Sequence, residues 1–420
     1  MYIADNVMVG KLGATNLAAI SLGIAIMAIP TVVGIGIALA LPPLVSKSMG
    51  EGNKENTSIY FKHSLLLNTA IGVLSCLVIL SIIPFLCHMG QDPEIIPLTQ
   101  KYMTVSAYAM IPLMIFNAFR GYSDGMGETI PPMIAMVAGN IVNVVFNYIL
   151  IYGKLGFDGY GIQGAAWASF IARCSMIGII LILLYKWKDL FQYLSEKLEN
   201  GYEWSVFKKL LSLGIPTSLQ MFFEISAFSG AAFIMGLVGK NEQAAHQIAI
   251  NLSSITFLIC TGLAFSSTIR VGNEYGKKNI ASMKDVGISS IIQVVVLMAI
   301  CSLLFYLFRH ALPYIYIDDP IVIGIATSLL IFAAIFQIPD GVQVTVLASL
   351  RGAQDVKIPT LITFVSYYFF GIPVSYLAAI TFGLGAKGVW LGLLVGLFVS
   401  ACLLIWRFLY LIDDMDPKRK

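Results

Sequence analysis

The chain has 420 residues, of which 58% are hydrophobic and 12% are charged, with a formal net charge of +3. A mean hydropathy of +0.84 excludes a soluble globular protein and predicts that lipid is the solvent of this chain.

Apolar runs recur along almost the whole sequence, and each is long enough to cross a hydrocarbon layer of ~30 Å as a helix. They predict eleven membrane spans, at residues 15–45, 63–87, 102–119, 129–152, 161–185, 207–238, 244–269, 285–308, 321–350, 358–382 and 388–412.

The basic residues are divided unequally between alternate loops. Of the 26 Lys and Arg residues, 19 fall in one set of loops, counted with the flanking Lys208 and Lys209 and the C-terminus from Arg407. Six fall in the other set, and Arg173 alone lies deep within a predicted span. By the positive-inside rule the first set faces the cytoplasm. The sequence therefore predicts a multi-pass protein with a cytoplasmic C-terminus.

The two halves of the chain contain similar motifs in the same order. FRGYSDGMGETIPP (119–132) resembles LRGAQDVKIPT (350–360), and MVGKLGATNLAAI (8–20) resembles LVGKNEQAAHQI (237–248). A repeat of six helices predicts an all-α membrane protein made of two six-helix bundles, related by a pseudo-two-fold axis along the membrane normal.

The repeat also predicts the division of the chain. About 30 apolar residues precede Gly239, whereas nine residues precede Gly10, so we expect the first helix to be truncated in this sequence. The predicted parts are an N-lobe at 1–186, a cytoplasmic linker at 187–206, a C-lobe at 207–412 and a cytoplasmic tail at 413–420.

Two acids lie deep inside the predicted spans of the second half. Glu224 lies 15 residues from Lys209 and 16 from Lys240, and Asp340 lies 11 residues before Arg351. A central membrane charge costs ~2.5–3.5 kcal/mol and commonly marks an ion or substrate pathway. We predict a shared cation or proton site at Glu224 and Asp340. A structural hydrogen-bonded pair is the alternative.

Other residues of the second half are placed to support this site. Pro339, next to Asp340, frees the backbone carbonyl four residues earlier and predicts a hinge, and Gln337 is a candidate neutral ligand. Phe222, Phe223 and Phe336 are candidates for cation–π contact with a flat cation, although such residues also face lipid or the core.

The first half offers a second polar group. Asp5 is a third candidate acid, and Asn143 and Asn147 share one helical face because they are four residues apart. These asparagines either line a cavity with Asp5 or join helices through hydrogen bonds.

Sequence patterns typical of enzymes are weak. GLGAKG (383–388) matches G-x-G-x-x-G, but it joins two membrane helices and has no βαβ context. The four histidines and six cysteines show no metal-ligand spacing. We expect no catalysis and no cofactor.

Several motifs together resemble the multidrug and toxic compound extrusion (MATE) family, especially its NorM-like bacterial members. They are RGYSDGMGETIPP, FFEISAF, AAHQIA and QIPDGVQV followed by LRGAQD. The resemblance implies a V-shaped pair of bundles in the bacterial inner membrane that exports cationic, aromatic drugs in exchange for Na⁺ or H⁺. We expect a monomer whose partners are small-molecule drugs and membrane lipid, with no nucleic acid.

The resemblance also assigns residues by position. Glu224 and Asp340 resemble the family's C-lobe cation-site acids, which makes Na⁺ the candidate metal there, and Asp5 resembles its N-lobe acid. Asn143 and Asn147 resemble the polar partners of that acid, and Ser169 takes the place of a family threonine. Some members have an acid at the position of Asn147.

A lipid-linked saccharide flippase of similar two-lobe architecture is the alternative function. Such a protein should line its cavity with Arg and Lys, because it must bind phosphate. Arg173 is the only base that the sequence places inside a span, so the sequence favours drug export.

Overall fold

The computed structural model describes residues 1–88, 92–154, 156, 159–187 and 201–415. The predicted cytoplasmic linker falls mostly on residues 188–200, and the end of the predicted tail on 416–420, which lie outside the described residues. Within the described ranges all regular structure is helical.

The chain forms two compact units, Met1–Ser218 and Leu219–Lys420. The division falls inside the ninth helix, and the predicted lobe boundaries stay a prediction. The helices that begin in the first unit are α1 (Tyr2–Gly10), α2 (Ala14–Ala38), α3 (Leu41–Gly50), α4 (Lys54–Ile82), α5 (Ile95–Tyr108), α6 (Met110–Gly125), α7 (Ile130–Tyr152), α8 (Ile162–Lys186) and α9 (Trp204–Val238).

The second unit continues from α9. Its further helices are α10 (Lys240–Gly276), α11 (Ile280–Phe308), α12 (Pro320–Gly352), α13 (Lys357–Val365), α14 (Ile372–Tyr376) and α15 (Ala386–Met415). Two π-helical segments, Ser366–Gly371 and Leu377–Thr381, flank α14. The span predicted at 358–382 is therefore one continuous helical segment with two widened turns. Pro373 lies between them and lacks a backbone donor, which favours such irregular hydrogen bonding.

Eleven helical segments of the described chain are long and apolar enough to cross a membrane. Large apolar side chains cover their outward faces; Phe233 is 72% exposed and Leu258 is 70% exposed. Such a surface suits lipid and not water. The prediction of an all-α membrane protein is confirmed.

Small residues bring the helices of the second unit into close contact. A Cβ atom on Gly352 of α12 would lie 2.6 Å from the carbonyl oxygen of Thr268 on α10, and one on Gly341 would lie 2.6 Å from Met298 Cγ on α11. Side chains at these positions would separate the helices. The glycines thus hold α12, which carries Asp340, against both neighbours.

One tight helix-to-helix turn occurs in both units, before α4 and before α11. Asn53 and Asn279 cap these helices by accepting a backbone N–H from the residue three positions later, at 3.0 and 3.1 Å. The residue before each cap has a left-handed backbone, with φ of 69° at Gly52 and 55° at Lys278. Glycine adopts this conformation without strain, whereas lysine does not.

We expect Lys278→Gly to raise the free energy of unfolding by about 1 kcal/mol, because it removes this strain. Gly52→Ala introduces the same strain and should lower stability by a similar amount. Thermal unfolding of the purified variants in one detergent measures both. An unchanged midpoint for both variants would contradict the role of this turn.

Candidate functional site

The first unit encloses a polar cluster around Asp5 of α1. Asp5 Oδ1 accepts hydrogen bonds from Asn147 Nδ2 at 2.7 Å and from Asn143 Nδ2 at 3.1 Å, and Ser169 Oγ donates to Asp5 Oδ2 at 2.8 Å. Asp5, Asn143 and Asn147 are fully enclosed. The structure thus brings together all four residues that the sequence analysis singled out in the first half.

Neutral groups satisfy both oxygens of the Asp5 carboxylate. The salt bridges found among the described residues do not include Asp5, and the nearby Arg173 directs Nη1 to the carbonyl of Ala109 at 3.0 Å. Asn147 Oδ1 is buried and has no hydrogen-bond partner in the described structure. A cavity of about 10 Å³ borders Ser169 and Arg173, which is close to the size that one water needs.

The second unit contains a much larger cavity, of about 450 Å³. Glu224 of α9 and Asp340 of α12 both line it, and most of its other lining is apolar or aromatic. Drug-sized ligands occupy pockets of ~300–1,000 Å³ with mainly apolar walls and a few polar groups. Asp340 is 3% exposed, so only the cavity and protein groups surround its carboxylate.

The two carboxylates line the same cavity, so their charges act on each other across a poorly solvated space. Neither takes part in the salt bridges of the described chain. Two neighbouring negative charges in a poorly solvated site repel each other and attract any cation that reaches them. The cavity is therefore a candidate cation site.

Amide side chains flank Asp340 on the same helix. Gln337 Oε1 accepts from Thr256 Oγ1 at 2.8 Å, and Gln343 Oε1 accepts from Tyr367 OH at 3.0 Å. Both glutamines are fully buried, and their Nε2 atoms have no partner in the described structure. Gln337, the predicted neutral ligand, is not part of the cavity lining and fixes α12 to α10 through Thr256.

The aromatic wall of the cavity differs from the expected one. Phe336 lines it together with Phe228 and Phe257, whereas Phe223 packs against Phe364, with ring centroids 4.9 Å apart. Phe222 and Phe223 are not part of the cavity lining. Phe228 follows Glu224 by four residues, and Phe336 precedes Asp340 by four, so helical spacing from each acid identifies both rings.

The sequence analysis also missed a base. It ended the ninth predicted span at residue 350, but α12 continues to Gly352 and includes Arg351 in its last turn. Other helices also carry a base near their end, such as Arg120 of α6 and Arg407 of α15, so Arg173 remains the one base that the sequence predicts deep within a span. Arg351 is not part of the cavity lining and makes no ion pair with Glu224 or Asp340 in the described structure.

Comparisons with known proteins agree with this architecture. The family model described as MatE matches residues 1–149 and 216–377. A probable multidrug resistance protein NorM of Acinetobacter baylyi is 34% identical, with 96% of this chain and 90% of the relative covered. A protein of the same description from Xanthomonas campestris is 32% identical, covering 96% of this chain and 88% of the relative. The chain belongs to the MATE family.

Solved structures share the MATE fold. A crystal structure of MATE in the bent conformation superposes with a TM-score of 0.91 at 22% identity, covering 99% of this chain and 91% of the other. An outward-facing multidrug resistance MATE family transporter of the MOP superfamily gives a TM-score of 0.89 at 23% identity, covering 98% and 91%. MATE membership confirms a multidrug efflux transporter of the NorM-like branch and not an enzyme, and it leaves the flippase alternative without support.

We expect Asn147→Leu to lower the stability of this MATE protein by about 2 kcal/mol, because a buried carboxylate loses a charge-assisted hydrogen bond. Asn140→Leu is the matched control on the same helix, since Asn140 is exposed and bonds only Met1 and the backbone carbonyl of Met136. Thermal unfolding in detergent compares the two. Equal losses would show that the Asp5 cluster contributes no special stability.

Proposed function

We propose that this MATE transporter exports organic cations through the cavity of its second unit, in exchange for Na⁺ or H⁺. Glu224 and Asp340 bind the drug and the coupling ion in turn. The observation that carries the proposal is the pairing of these two acids in one apolar cavity of about 450 Å³.

The walls of the cavity support a flat, cationic substrate. Phe228, Phe257 and Phe336 present aromatic rings to the same space as the two acids. Aromatic rings attract cations through their faces and bind planar groups by stacking. The NorM relatives are described as multidrug resistance proteins. An apolar and aromatic cavity wall suits several drugs, because such contacts do not require one substrate shape.

The charges of the acids supply the coupling. A drug cation, Na⁺ and H⁺ each neutralise the same carboxylates, so the binding of one weakens the attraction for the others. In this mechanism the coupling ion enters from outside, neutralises Glu224 and Asp340, and thereby releases the drug outward. Na⁺ is transported here as a substrate, and its ligands are carboxylate oxygens.

Asp5 contributes a second cation position in the first unit. Its carboxylate and the unpartnered Asn147 Oδ1 provide oxygens inside one enclosed cluster. A hard cation prefers such oxygen ligands, and Asn143 and Ser169 hold the carboxylate in place.

Pro339 connects ion binding to movement. It lies inside α12 directly before Asp340, where the missing backbone N–H weakens the helix. A change in the charge of Asp340 then acts on a segment that bends easily. We also propose that the chain works as a monomer in the bacterial inner membrane with its C-terminus in the cytoplasm, following the loop charges and the NorM relatives.

We expect Glu224→Gln and Asp340→Asn each to reduce ethidium efflux to the level of cells without the transporter, because neither amide can exchange H⁺ or balance a cation. Asp285→Asn, at an exposed acid of α11, is the control and should retain full efflux. Drug resistance in cells and protein amount in membranes are measured together. Full resistance of either site variant at normal expression would refute the assignment.

The coupling ion is tested by imposing one gradient at a time on membrane vesicles of known orientation. Ethidium efflux is followed with a Na⁺ gradient at fixed pH, and separately with a H⁺ gradient without Na⁺. We expect one gradient to drive efflux and the Asp340→Asn variant to lose that response. Efflux that neither gradient accelerates would overturn antiport.

A further inference from the structure

The two units contain the same Arg-Gly-x-x-Asp sequence but pair its charges differently. In the first unit, Arg120 Nε lies 3.3 Å from Asp124 Oδ2. Both residues belong to α6, which continues to Gly125, so they lie one turn apart on one helix face.

In the second unit the corresponding helix, α12, ends before it reaches the aspartate of this motif. Helix α12 stops at Gly352, and Gln354 adopts a left-handed backbone with φ of 63°. Asp355 therefore lies beyond the helix end, where Arg407 of α15 binds it with Nε at 2.6 Å from Oδ2. Arg351 is left without the partner that Arg120 has.

Arg351 finds no replacement for that partner. Its guanidinium makes no hydrogen bond or ion pair with the described residues, and its Nε is buried. A buried N–H donor without an acceptor costs free energy, so its environment is searched for an acceptor or a charge that compensates it.

The position of Arg351 on α12 indicates that partner. Arg351 follows Asp340 by 11 residues, which is about three helical turns, or ~16 Å, and returns to within about 20° of the same face. Helical side chains point toward the N-terminal end of their helix. The guanidinium is thus directed from the helix end toward the level of the acids, and opposite charges in such a poorly solvated region attract each other beyond ion-pair distance.

We propose that Arg351 is a tethered cation that competes with the transported cation for Glu224. In the absence of ligand it balances part of the negative charge of the cavity. A drug cation must overcome this attraction to bind, and the attraction between Arg351 and Glu224 is restored as the drug leaves. The inference rests on the proposed function of the Glu224 and Asp340 cavity and names a residue that limits its affinity.

Equilibrium binding of tetraphenylphosphonium to the purified full chain tests the competition. This probe has a fixed charge and no hydrogen-bond donor. We expect Arg351→Gln to lower its Kd about tenfold, since a competing charge is removed. Arg351→Lys keeps the charge and should stay within about threefold of the unmodified chain. Arg120→Gln, the matched position with its own partner, should leave the Kd unchanged.

A double-mutant cycle with Glu224→Gln tests whether the higher affinity of the Arg351→Gln variant depends on Glu224. In the Glu224→Gln background, Arg351→Gln should give no further gain in affinity. A tighter Kd that persists in that background, or an unchanged or weaker Kd for a folded Arg351→Gln variant, would overturn the competition.

Thermal unfolding without ligand is measured for the unmodified chain, the two single variants and the double variant. The stability coupling between Arg351 and Glu224 obtained in this way separates the present inference from the proposed function. Stability coupling between Arg351 and Glu224 together with the affinity gain supports both. Coupling without any Glu224-dependent binding of the probe overturns the cavity as a drug site, and the competitor role with it. Probe binding that needs Glu224 but shows no coupling to Arg351 overturns this inference alone.

Discussion

A carboxylate on a membrane helix must find partners, because lipid supplies none. This constraint is met in two different ways in the two units. In the first unit, Asn143, Asn147 and Ser169 donate hydrogen bonds to Asp5 and enclose it completely. In the second unit, Glu224 and Asp340 face a cavity large enough for a drug. The first arrangement suits a small ion or a proton, and the second suits a larger cation.

The close packing of α12 makes the second arrangement stable. Gly341 and Gly352 bring this helix against α11 and α10, and Gln337 and Gln343 tie it to Thr256 and Tyr367. The scaffold around Asp340 is therefore held on several sides, while its carboxylate faces open space. A rigid scaffold keeps the acid from collapsing onto a protein donor, so the carboxylate stays available to a ligand.

Much of this arrangement follows from the sequence. Apolar length predicts the spans, since only a helix satisfies its backbone in lipid, and acids inside those spans point to the sites. The spacing of Asn143 and Asn147 places them on one face, but Ser169 lies on another helix with no periodic link, so only family resemblance identified it. The widened turns flank Pro373, but a proline inside a membrane helix does not by itself specify two π-helical segments.

The missed Arg351 has a physical reason as well. Loop charge sets the end of a predicted span, so the rule assigns any base near the boundary to water. In the structure, α12 extends beyond the predicted boundary and carries Arg351 in its last turn, and the chain changes direction at Gln354. One turn of helix thus converts a local pair like Arg120–Asp124 into a cross-helix pair, Asp355–Arg407. It leaves Arg351 Nε buried without an acceptor, so the point at which one helix ends decides which charges of the second unit are paired.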